Sequence, residues 1–223
     1  YREKVHLATK LPIWAIEKRE DAERVFSEQL EKLQTDHVDF YLFHGLRRER
    51  WETIKQFNLL DWAERALADG RIRHLGFSFH DTLTVFKEIV DGYDGWDFCQ
   101  IQHNYMDINT QAGTEGLHYA ASKGLAVVIM EPLLGGRLVD PPDPVQAIWD
   151  SAGEVQTPVE RAMRWLWDQP EVSVVLSGMS TMAQVIENVA NASRYGVGNM
   201  TAADQDLIAR ARTKYQELCP IPC

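Results

Sequence analysis

Short apolar runs alternate with amphipathic stretches along the whole of this chain, and no hairpin signal joins any two runs. Six runs are each followed by a helical pattern, and strict β-α alternation implies a parallel sheet with right-handed crossovers. The runs lie near residues 5–9, 39–44, 72–79, 98–101, 125–130 and 172–176. The second, Asp39-Phe40-Tyr41-Leu42-Phe43-His44-Gly45, is nearly continuous in apolar residues. Such a run reads as a strand buried on both faces.

The helical stretches carry their own punctuation. Ala22, Val25, Phe26, Leu30 and Leu33 make one apolar stripe between residues 19 and 35. Residues 47–57 read as a charged loop or short helix. Gly70 stands where a helix ends, and Gly124 stops another. Thr157-Pro158-Val159-Glu160 combines an N-cap, a first-turn proline and an N3 glutamate. Residues 137–156 read as a long surface loop with one turn of helix. The turn 177–181 leads into a helix through Asn188, and Thr201 caps a last helix with Leu207, Ile208, Ala211 and Tyr215 on one face.

Six units could also build an open doubly wound sheet. No G-x-G-x-x-G turn follows the first run, which leaves a Rossmann reading with little support. Polar residues gather instead at the ends of the runs: Lys10, His44, Ser78, Gln100, Glu131 and Ser177. Closed parallel barrels collect their chemistry at the carboxyl ends of the strands. The expected fold is therefore α/β, a (β/α)8 TIM barrel of which six βα units are present. A complete barrel typically needs about 250 residues, and this chain has 223. Residues 1–218 read as an N-terminally incomplete barrel and 219–223 as the start of a cysteine-containing tail. A barrel short of two units should expose strand edges and helix faces, which makes residues 1–223 alone prone to aggregate and inactive.

Net charge narrows the partners. At −10 the chain does not suit a nucleic-acid or acidic-membrane surface, both of which call for basic stripes. No apolar run approaches the roughly 18 residues of a membrane span. With Cys99 in an apolar run and Cys219 and Cys223 at the end, no disulfide framework is legible, and a cytoplasmic setting is expected.

Several segments carry a resemblance to a known family. They are Leu7-Ala8-Thr9-Lys10, the run ending at His44, Gly70 to Ser78, Gln100-Ile101-Gln102-His103-Asn104, Met130 to Gly136, and Gly178 to Thr181 with Gln184, Glu187 and Asn188. In this order, each at the end of an expected strand, they resemble the aldo/keto reductases. The stretches Gly76 to Asp81 and Pro220 to Cys223 are similar to the bacterial and archaeal branch with a ferredoxin-like iron–sulfur segment after the barrel. Two terminal cysteines cannot supply four thiolates, and no cluster is expected in this chain.

The resemblance implies carbonyl reduction by hydride transfer from NADP or NAD, with a small carbonyl compound as substrate. Lys10 takes the role of a lysine that lowers a tyrosine's pKa, and His44 that of a carbonyl-orienting histidine. A buried ammonium beside a phenol favours the phenolate, as proton transfer near neutral pH requires. The family's tyrosine and aspartate come from two earlier strands, and none of the seven tyrosines here fits the role. Ser78 and Gln100 match positions that hold the nicotinamide carboxamide, and Met130 replaces a stacking aromatic residue. Glu131, Leu133 and Gly135 lie on the segment that follows the pyrophosphate. Gly178, Met179 and Ser180 would face the adenosine phosphate, and Gln184 and Asn188 the adenine and ribose. Two other classes fit part of the pattern. A non-catalytic nucleotide sensor of the same fold would need only the second half of this set. A metal-dependent barrel hydrolase would use His44, His80 and His103, but no His-x-His pair ends the first strand. No metal site is expected.

Overall fold

The computed structural model describes residues 2–218, so the cysteine tail expected at 219–223 lies outside the described residues. Its strands are β1 (Ala8–Leu11), β2 (Val38–Leu46), β3 (Ile72–Phe79), β4 (Phe98–Gln102), β5 (Ala126–Met130) and β6 (Val172–Val175). They form one sheet in the order β1-β2-β3-β4-β5-β6. The six are parallel and alternate with helices, the arrangement of a partial (β/α)8 barrel. The helices are α1 (Glu20–Leu33), α2 (Arg48–Gln56), α3 (Leu59–Ala68), α4 (Leu83–Asp91), α5 (Gly113–Ser122), α6 (Asp143–Asp150), α7 (Pro158–Trp167), α8 (Met182–Arg194) and α9 (Ala202–Leu218). No described helix is long and apolar enough to cross a membrane.

The chain divides into two compact units, one of residues 1–101 and 109–128, the other of 102–108 and 129–223. In the first unit the alternation of β2 is almost lost, because both faces are covered: only Phe40 and His44 are partly exposed. Its core is aromatic. Phe26 meets Tyr41 at 4.8 Å, Phe77 meets Trp96 at 4.9 Å and Phe79 meets Phe86 at 5.0 Å between ring centroids. Gly76 is required where β3 passes β4, since a Cβ there would lie 2.5 Å from the Phe98 carbonyl oxygen.

Two strand ends differ from the expected ones. β1 begins at Ala8 and runs through Lys10 to Leu11, and β2 continues past His44 to Leu46. Pairing of Leu46 with Phe79 across a register shift prolongs β2. Lys10 and His44 thus sit just inside the strand ends, not beyond them.

In the second unit, residues 137–156 are not a surface loop. Pro142 and Asp143 open α6, whose Val145 and Trp149 are buried with Leu207, Ile208 and Ala211 of α9. The proline-rich spacing concealed a two-turn helix because its buried positions are only two, Val145 and Trp149, four residues apart. α7 starts as expected, Thr157 Oγ1 accepting from the Glu160 amide at 3.0 Å. Glu160 does not complete a capping box, however. Its carboxylate accepts from the Tyr195 hydroxyl and pairs with Arg194 at 3.1 Å. α8 extends beyond Asn188 to Arg194 and leaves Met182, Ile186 and Val189 exposed along one stripe.

At the amino end of the first unit's sheet, Asp39 is 1% exposed. It accepts from the Leu7 amide at 2.8 Å and pairs with Arg2 at 2.9 Å and Arg73 at 2.8 Å. Burial pushes its pKa upward, but the Leu7 amide and the two guanidinium groups outweigh this and hold it at about 2. A carboxyl depressed in the folded state stabilises fully above its unfolded value, about 3.9, and loses that contribution as pH falls through about 2. Asp39→Asn should therefore cost about 2 kcal/mol at pH 7, because it removes the buried charge that the Leu7 amide and the partly exposed Arg2 and Arg73 hold in place. Urea unfolding at pH 7 and pH 2 checks this, with the difference between the two proteins shrinking at the lower pH.

Candidate active site

Lys10 and His44 are brought together by strand register. Lys10 pairs with Leu42 in the parallel ladder between β1 and β2. His44 is two residues further on, on the same face, about 7 Å along the strand. The Lys10 carbonyl accepts from Gln29 Nε2 at 2.8 Å, and Gln29 Oε1 accepts from the Tyr41 hydroxyl at 2.9 Å. Tyr41 is on the opposite face, paired with Thr9, so a buried phenol and a helix side chain together fix the backbone at Lys10.

Both titratable groups are shifted in the same direction. Burial lowers the Lys10 pKa. Burial also lowers that of His44, and the charges of Lys10, Arg50 and His80 lower it further. His44 is therefore a neutral imidazole at pH 7, with one N–H to donate.

Two neighbours, Trp14 and Arg50, went unread in the sequence. After Pro12 the chain makes a 3₁₀ turn, Ile13–Ala15, whose buried Ile13 and Ile16 turn inward and leave Trp14 58% exposed. The Trp14 ring lies 4.8 Å from the His44 ring, and the Arg50 guanidinium lies 4.9 Å over Trp14. Arg50 Nη1 donates to the Gly45 carbonyl at 2.6 Å. The only trace of this in the sequence is the cluster Arg47-Arg48-Glu49-Arg50 directly after β2. Ser78 is buried, and its Oγ accepts from the Gly45 amide at 2.7 Å, which leaves its hydroxyl proton free to be donated. Gln100 is buried on β4 in the same unit.

The remaining candidates belong to the second unit. Met130, Glu131, Leu133, Gly135, Gly178, Met179, Gln184 and Asn188 line one cleft of about 610 Å³. That is within the range of small-molecule and cofactor sites, about 300–1,000 Å³. Its walls are the loop after β5 and the turn between β6 and α8. Left-handed backbone at Glu131, Leu134, Gly135 and Gly136 curls the loop, and the Glu131 carboxylate accepts from the Gly135 amide at 2.5 Å.

Ser180 does not line this cleft, and Gln184 is not extended toward a ligand. Gln184 Oε1 accepts from the Ser180 amide at 2.8 Å and the Thr181 amide at 3.1 Å, closing a capping box with Thr181. Asn188 donates to Ser177 Oγ at 3.0 Å. A Thr-x-x-Gln signature before an apolar run was the signal for this role, and it competes with the ligand-facing one.

The described tyrosines are engaged elsewhere. Tyr41 donates to Gln29, Tyr119 to Asp91 and Tyr195 to Glu160. Tyr93 packs on Trp96, and Tyr105 packs edge-on against Trp149 in the core of the second unit. Tyr215 packs against that same core. Among the described residues no three His, Cys, Asp or Glu side chains are grouped to hold a metal. The buried Cys99 has its thiol pKa pushed up by desolvation.

Known proteins place this geometry. The model of the aldo/keto reductase family matches residues 1–200, and the chain belongs to that family. It is 27% identical over 186 residues to L-galactose dehydrogenase of Arabidopsis thaliana, a match covering 76% of this chain and 58% of that protein. The chain thus spans somewhat over half the length of that curated relative. Among solved structures, the holo form of aldo-keto reductase AKR11C1 from Bacillus halodurans superposes with a TM-score of 0.74 at 22% identity, over 94% of this chain and 73% of its own. A putative 2,5-diketo-D-gluconic acid reductase B gives 0.68 at 25% identity, over 96% and 69%.

The electrostatic setting of His44 is open to direct measurement. By NMR its imidazole should titrate below the ordinary value of about 6.5. Lys10→Met should move the midpoint upward, since it removes a neighbouring cation. A midpoint unaffected by Lys10→Met would show that the two side chains do not interact.

Proposed function

We propose that this protein is an NAD(P)H-dependent carbonyl reductase of the aldo/keto reductase type. The observation that carries the reading is the pairing of Lys10 and His44 on one face of adjacent parallel strands, with both pKa values lowered. The neutral His44 donates its N–H to the carbonyl oxygen and orients it, and the Lys10 charge favours an anion developing nearby. Ser78, with its hydroxyl proton available, and Gln100 offer amide-matching groups for a carboxamide.

The residues present fit a dinucleotide. The cleft of the second unit has the necessary volume, an apolar lining from Met130, Leu133 and Met179, and glycine-built walls. Met130 can pack its polarisable sulfur on a ring. A bound nicotinamide supplies the hydride; the chain supplies position, charge and exclusion of water. The described tyrosines do not supply the proton donor that the family's chemistry calls for. A nucleotide sensor without turnover is the second reading, for which the cleft of the second unit would suffice by itself.

Titration with NADH and NADPH, followed by tryptophan quenching, should show saturable binding of at least one of them. A folded protein that binds neither overturns the proposal.

In the full-length protein, Lys10→Met and His44→Ala should each reduce carbonyl turnover by about 10²-fold or more, with nucleotide affinity changed little. Wild-type turnover in both variants would show that the reaction centre lies elsewhere. Saturable nucleotide binding without reduction of any aldehyde by the wild-type protein would establish the sensor reading.

A further inference from the structure

The region around His44 is more cationic than carbonyl orientation needs. Lys10, Arg50 and His80 all act on His44 electrostatically, in a chain whose net charge is −10. Arg48, the neighbour of Arg50 on α2, is neutralised by Glu88 at 2.8 Å. Arg50 has no ion-pair partner among the described residues. Glu49 is exposed beside it on the same turn of α2.

The position of Arg50 is built. Its Nη1 is fixed by the Gly45 carbonyl, and a Cβ at Gly45 would lie 2.5 Å from that nitrogen, so the close approach depends on glycine at φ +64°. The guanidinium plane rests on Trp14, and Trp14 in turn contacts His44. A guanidinium held by one nitrogen and one aromatic face keeps other N–H groups to offer, in a fork that matches a carboxylate. Half-burial strengthens such a pair relative to one in open water.

We infer that Arg50, seated on Trp14 beside His44, anchors a carboxylate of the substrate, so that the carbonyl compound taken by this site is an oxo acid. This rests on the proposed role of His44 as the carbonyl-orienting group. Trp14 offers an exposed apolar platform for the body of such a molecule, and Arg50 sets the end that carries the charge.

4-Formylbenzoate and 4-formylbenzamide differ by one negative charge at nearly constant shape, and the full-length protein with NADPH or NADH can be assayed on both. The wild type should favour the benzoate by about 10-fold or more in kcat/KM, the difference lying in KM. Arg50→Gln should bring that ratio close to one, Arg50→Lys should restore part of it, and added salt should weaken it in the wild type only. Equal KM values for the two aldehydes, or a ratio unaltered by Arg50→Gln, would overturn the inference.

The binding of 4-hydroxymethylbenzoate and 4-hydroxymethylbenzamide, followed by tryptophan fluorescence, separates the anchor from the reaction. If neither aldehyde is reduced, the carbonyl-reductase reading fails. A benzoate preference that Arg50→Gln abolishes still supports the anchor, and its absence removes the anchor too.

Discussion

The parallel register of β1 on β2 is the constraint from which the candidate site follows. Lys10 opposite Leu42 puts the lysine and His44 on one face. A slip of one residue would send one of them to the other side of the sheet. The register is secured from both ends. Asp39 takes the Leu7 amide at the start of the pair, and Gln29 holds the Lys10 carbonyl near its finish. Neither of these side chains touches the reacting groups, yet each limits where those groups can stand.

Charge is distributed with the same economy. Most cations of the first unit are matched locally, as Arg2 and Arg73 are by Asp39 and Arg48 is by Glu88. Two cations for which no ion pair is formed among the described residues, Lys10 and Arg50, act on His44. A neutral imidazole flanked by cations is suited to donating a hydrogen bond and unsuited to holding a second proton. The second unit has the opposite character. Its cleft is lined by apolar residues, glycines, the neutral polar side chains of Ser177, Gln184 and Asn188, and the carboxylates of Glu131 and Glu187, with no lysine or arginine among the lining residues.

Most of the fold was legible because periodicity and punctuation agreed. The buried run at 39–44, the glycine after α3 and the Thr-Pro start of α7 each express a local physical preference that tertiary packing left in place. α6 was missed because prolines crowd its start and it is only two turns long, while its burial depends on α9, some sixty residues later. Lys10 and His44 were legible from strand position. Trp14 and Arg50 were not, since their juxtaposition depends on a 3₁₀ turn and a glycine at positive φ, and neither leaves a periodic trace. Gln184 shows a double use: the position was read for a ligand, and its side chain, at the wall of the cleft, also serves the start of its own helix.

That self-capping at α8 has a kinetic meaning. The Gln184 carbonyl is tethered four and three residues from the Ser180 and Thr181 amides it accepts from, so it is present there at high effective concentration. An anion arriving at these amides exchanges hydrogen bonds instead of adding them, and the tethered carbonyl is ready to reclaim each donor as it is released. The capping box by itself satisfies these donors and fixes the turn. Contacts made there accordingly add less than contacts to open donors would, and release from them is the easier for it.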